Sequence, residues 1–106
     1  MNTINILGTE YILEQDESII DKDCDGLCAE YSKKISIRPV QEMLCKDCTD
    51  QEREKRYNEV LRHEIIHAAF SESGLDDYSN NEQLVNWIAI QFPKLFKLFN
   101  ELGCLK

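Results

Sequence analysis

Polar and apolar positions alternate along Thr3-Ile4-Asn5-Ile6-Leu7, Gly8-Thr9 follow, and a second short run, Glu10-Tyr11-Ile12-Leu13-Glu14, comes next. A period of two belongs to a strand with one buried face, and two such runs around a glycine predict a hairpin. Residues 15–26 are acidic and close on Asp25-Gly26, a turn signal. Leu27–Tyr31 reads as a strand, and Lys33-Lys34-Ile35-Ser36-Ile37-Arg38 alternates again as far as Pro39. These segments predict a second hairpin that turns near Ser32-Lys33.

The second half changes period. Thr49-Asp50-Gln51-Glu52 fits a capping box, with Thr49 as N-cap and Glu52 reaching back. Tyr57, Val60, Leu61, Ile65, Ala68 and Ala69 then recur at helical spacing, and Gly74 ends that run. A further helix opens near Ser79 or Asn80, with Leu84, Val85, Ile88, Ala89 and Phe92 as its apolar stripe. Pro93 is expected to stop it and to open a last short helix as its first residue. Leu95, Phe96, Phe99 and Leu102 would be that helix's apolar face. The order predicts an α+β fold: antiparallel hairpins or a small sheet, then helices over about 50–72, 80–92 and 93–102. Residues 1–106 read as one domain, without repeat or linker. The tail Phe92–Leu105 is expected to pack on the two longer helices rather than on a membrane, because its polar face is not richly basic.

Composition adds exclusions. Hydrophobic residues make up 42% of the 106 positions and charged residues 30%, an ordinary globular balance. The formal charge is -8, which repels phosphate backbones and argues against nucleic acid as a ligand. No apolar run approaches the roughly 20 residues of a membrane span. The Met1-Asn2-Thr3-Ile4 start has neither a basic region nor an apolar run of the signal-peptide kind, so a cytoplasmic protein is expected. Its five cysteines then read as reduced thiols, some of them available to a metal.

The chain has only two histidines, and they stand four apart in His63-Glu64-Ile65-Ile66-His67, inside the strongest helical segment. On a helix, positions i and i+4 share a face, so both imidazoles can reach one Zn2+ ion. Glu64 stands beside them as a candidate general base, the arrangement of helical zinc hydrolases. A catalytic zinc needs a third protein ligand. With no third histidine, the downstream candidates are Glu72, Asp76, Asp77, Glu82, Glu101 and Cys104. Glu82 opens a helix, and a ligand on a helix is better positioned than one in a turn. It faces the histidines if the Gly74 turn folds that helix back. A second role competes for it: Ser79-Asn80-Asn81-Glu82 is itself a capping box, which would tie its carboxylate to backbone.

Asn81-Glu82-Gln83-Leu84-Val85-Asn86-Trp87-Ile88-Ala89 resembles the third-ligand helix of the gluzincin metallopeptidases and the corresponding segment of ImmA/IrrE-type peptidases. The hairpin, the Asp-Gly-x-Cys-x-x-Tyr stretch, the Lys-Ile-x-Ile strand and the two helices together resemble small phage- or prophage-encoded metallopeptidase-like proteins. The likeness covers most of the chain, and its specific parts are the H-E-x-x-H and Glu82 segments. It implies His63, His67 and Glu82 as metal ligands, and Asn86 where the family places an acidic residue that supports a ligand histidine. An amide there accepts a hydrogen bond but adds no charge. It further implies a peptide or protein substrate, such as a phage or host regulator, held against a free strand edge, here Ile35–Arg38. The alternative is a catalytically silent protein that keeps the same fold to bind a partner. Tyr78 and Tyr57 are the candidate oxyanion stabilisers, and Arg62 is expected to point elsewhere.

Two other patterns compete. Asp21-Lys22-Asp23-Cys24-Asp25-Gly26 copies the first half of a calcium loop, but Ser32 stands where that loop needs a glutamate, so a solvated acidic loop is expected. Cys24, Cys28, Cys45 and Cys48 offer four thiolates for a second zinc, although the first spacing is not the usual one. Cys104 reads as an incidental thiol.

Overall fold

The structure is a computed structural model, and it describes residues 2–16 and 23–106. Strands β1 (Asn2–Ile6) and β2 (Thr9–Gln15) pair antiparallel around Leu7-Gly8. Both turn residues have positive φ, 50° and 95°, as a tight two-residue hairpin turn requires. The Gly8 N–H donates to Asn5 Oδ1 at 2.8 Å and locks the turn. Strands β3 (Gly26–Ala29) and β4 (Lys34–Ile37) form the second antiparallel hairpin.

The two hairpins join through a parallel β2–β4 seam, giving the order β1-β2-β4-β3. This corrects the expectation that Ile35–Arg38 is a free edge. Ile35, Ser36 and Ile37 are all buried, as an interior strand must be, and the free edge on that side is β3.

Helix α1 (Asp50–Glu72) starts on the expected capping box: Glu52 N–H donates to Thr49 Oγ1, and Thr49 N–H to Glu52 Oε1. Val60, Glu64 and Ala68 form its buried stripe at i, i+4, i+8. Val60 and Ala68 join Ile6, Tyr11, Ile35, Ile37 and Met43 in the core between helix and sheet. At the far end of α1, Glu72 accepts from Thr9 Oγ1, Tyr11 OH and Lys33 Nζ at 2.6–2.7 Å and clamps the helix to both hairpins. These donors, Lys33 foremost, hold its carboxyl down to about 2.

Gly74, at φ 72°, closes α1 in a Schellman motif, with the Leu75 N–H on the Phe70 carbonyl and the Gly74 N–H on that of Ser71. A four-residue helix, α2 (Asp76–Ser79), reverses the chain where the sequence indicated only a turn. Helix α3 (Glu82–Glu101) follows. It runs unbroken through Pro93, which corrects the expected division into two helices. Proline removes the N–H that would reach the carbonyl four residues back, that of Ala89. Arg62 Nε donates to this carbonyl instead, at 2.7 Å.

Val85 and Ala89 are the buried residues of α3. From Phe92 onward every residue except Leu95 is exposed, so the tail does not pack on the helix pair as expected. Among the described residues, no helix is long and apolar enough to cross a membrane.

Candidate metal centre

His63 and His67 lie one turn apart on α1 with their Nε2 atoms 3.0 Å from each other. The Schellman turn and α2 bring the start of α3 back over them. Asn81 is the N-cap of α3, its side chain accepting from the Leu84 N–H at 3.1 Å. The carboxylate of Glu82 is therefore not needed as a cap. It turns inward, Oε2 lying 3.1 Å from His63 Nε2 and Oε1 2.9 Å from His67 Nε2. Ligand atoms of the three residues all lie within 4.8 Å of one another.

This set fits a zinc ion. Donors held about 2.0–2.2 Å from a tetrahedral zinc are roughly 3.3–3.6 Å apart. Three lone-pair-bearing groups closing to about that distance suit a positive charge at their centre. Burial, and then the charge of His67, hold His63 below the usual imidazole value and favour the neutral, ligating form. Of the other candidate third ligands, Glu72 is engaged with the hairpins, and Asp76, Asp77, Glu101 and Cys104 are outside the cluster.

Glu64 is 6% exposed and places Oε2 4.0 Å from His63 Nε2. Burial, then the nearby charge of Glu82, pushes its carboxyl up to about 7. A group poised there both takes and returns a proton near neutrality. Gly26 makes room for it. A Cβ on Gly26 would lie 2.7 Å from Val60 Cγ1 and 3.0 Å from Glu64 Cγ, so β3 approaches α1 this closely only through glycine. The sequence marked Gly26 merely as a turn residue. Gly26→Ala is expected to cost about 1–3 kcal/mol of stability, the range for overpacking a tight site, read from urea unfolding midpoints. A loss under about 0.5 kcal/mol would show that the strand is free to move away.

Asn86, where the resemblance implied a residue that supports a ligand histidine, borders the same cleft as His63. His67 Nδ1 faces Ser79 Oγ at 3.4 Å, and that hydroxyl donates to Glu30 Oε1 at 2.9 Å. The sequence marked Ser79 only as a helix start and capping residue and did not mark Glu30, because nothing local shows that the end of α2 and a hairpin tip are neighbours.

The cluster opens into a cleft of about 660 Å³, bordered by β3, by Glu30, by the α1 face from Arg56 to His67, and by Glu82 and Asn86. Tyr78 and Tyr57, the proposed oxyanion stabilisers, do not line it. The Tyr78 ring lies 6.1 Å from that of Phe70, and Tyr57 borders a separate hollow with Val40 and Asp50. Arg56 is the cation at the cleft wall, bound to Asp25 through Nε at 2.9 Å.

That aspartate was expected in a solvated acidic loop and is instead 5% exposed. Besides Arg56 it meets Arg38 Nε at 3.1 Å and the Leu44 N–H at 3.0 Å. Asp21 and Lys22 of the calcium-like pattern lie outside the described residues. The four-thiolate site is not assembled. Cys45 and Cys48 are joined as a disulfide, which also departs from the expected reduced pair, while Cys24 and Cys28 are free at the cleft wall. Burial, then the charges of Glu64 and Glu30, pushes the Cys28 thiol up to about 12, so it stays protonated and is a poor ligand. Comparison with family models, with curated proteins and with solved structures finds no match for the chain.

Proposed function

We propose that the chain is a zinc-dependent peptidase that takes an extended peptide along β3. The observation that carries this reading is the buried Glu64, set between a three-ligand cluster and a free strand edge. A zinc ion held by His63, His67 and Glu82 would lower the pKa of a water toward about 7 and polarise a scissile carbonyl. Glu64 accepts the proton from the attacking water and delivers it to the leaving amine. The outer edge of β3, the last strand of the sheet among the described residues, offers backbone donors and acceptors to the substrate, and the cleft volume is within the usual range for binding sites.

A non-catalytic binding role is favoured by a different observation, the exposed apolar side chains Phe92, Phe96 and Phe99 on α3 and Leu102 at its C-cap. One variant separates the two. Glu64→Gln removes the base and leaves all three ligands, so it should retain one equivalent of zinc. On a fluorescence-quenched peptide library, its hydrolysis should fall about 10²–10⁴-fold below wild type. Zinc loss in this variant would make Glu64 a ligand and overturn the assignment. Zinc-loaded wild type without turnover of any library member would favour the binding role.

A further inference from the structure

His67 can bind a metal through Nε2 only if Nδ1 carries the ring proton, and the atom facing Nδ1 is Ser79 Oγ. Ser79 is 2% exposed, and its hydroxyl is bonded within the protein. That oxygen has one proton to give and two acceptors in reach, Glu30 Oε1 at 2.9 Å and the His67 carbonyl at 3.1 Å. The carboxylate is both nearer and charged, and charged acceptors make the stronger bonds. With the hydroxyl turned to Glu30, its lone pairs face the imidazole N–H. The polar groups then form one ordered chain: His67 Nδ1–H to Ser79 Oγ, and Ser79 O–H to the Glu30 carboxylate.

We propose that Ser79 and Glu30 are positioning residues for the metal ligand His67, fixing its tautomer and passing carboxylate character to it through one hydroxyl. The proposal rests on the zinc-site reading above. The amide of Asn86 at the same cleft brings no charge, and the carboxylate in line with a ligand is the one behind His67. The carboxylate comes from the tip of the β3–β4 hairpin, so one side chain ties the cleft-bordering strand to the metal helix and to α2.

The test is zinc affinity of the full chain, measured by competition with a chromogenic chelator, for wild type, Ser79→Ala and Glu30→Gln. Loss of a group that orients a metal-bound histidine typically costs 10–100-fold in metal affinity. Ser79→Ala is expected to weaken zinc at least tenfold. Glu30→Gln retains an oxygen acceptor for the Ser79 hydroxyl and loses only the charge, and a several-fold weakening is expected. The second readout is the ring N–H resonance of His67 in the zinc-loaded protein, which should move in Glu30→Gln while that of His63 stays. A purely structural hydrogen bond would not shift that signal selectively. Should Ser79→Ala fail to fold, Glu30→Gln decides alone. Unchanged zinc affinity and an unmoved His67 signal in Glu30→Gln would overturn the relay and leave the zinc site standing. Wild type that takes up no zinc would overturn the site itself, and the relay with it.

Discussion

Glu82→Ala should leave a folded protein that has lost zinc binding by two orders of magnitude or more. Glu82 is 64% exposed at its side chain, and the cap of α3 is made by Asn81, so neither core packing nor helix initiation depends on it. Its removal strips away the one anionic ligand and leaves two neutral imidazoles on a single helix, short of the three protein ligands a zinc site of this kind uses. Metal analysis after gel filtration, beside far-UV circular dichroism, reads both halves of the expectation. Zinc retained at one equivalent by Glu82→Ala would remove Glu82 from the ligand set.

Asp25→Ala should be the most damaging single change to stability. Its carboxylate is 2% exposed and faces two guanidinium groups, and that of Arg38 is equally buried. Truncation removes a charged partner from the buried Arg38 guanidinium, and breaking a buried ion pair from one side costs about 3–5 kcal/mol. That is a large share of the roughly 5–15 kcal/mol that holds a domain folded. The diagnostic is the double variant Asp25→Ala/Arg38→Met, which removes both charges and should recover part of the loss in urea unfolding. Equal or greater destabilisation in the double variant would mean that packing, and not the broken ion pair, dominates.

What the sequence made legible was local. The turns at Gly8 and Lys33, the Thr49–Glu52 box, the Gly74 stop and the His63–His67 pair each sit within a few residues, where periodicity and capping chemistry operate. The placement of Glu82 was reached by assuming that α3 folds back, and in the structure α2 and the Asn81 cap make that geometry. The misreadings share one cause, a partner remote in the chain. Asp25 read as a turn residue because Arg38 and Arg56, which bury it, lie on later elements. Pro93 read as a break because the rule does not know that Arg62 will reach the freed carbonyl. The tail read as packed because its stripe is apolar. In the structure that stripe is exposed, and the residues of α3 that are buried, Val85 and Ala89, lie before it.

The central place of β4 bears on how the chain is made. During synthesis the β1–β2 hairpin emerges before β4, its other strand partner among the described residues, which comes well behind it. Two strands without a third are marginal in water. Until β4 arrives, the backbone of β2 over Ile12–Gln15 is an open strand edge, the kind of surface on which nascent chains find one another. The parallel seam is therefore the step that turns two fragile ribbons into one sheet, and only that sheet presents Ile35 and Ile37 for α1 to cover.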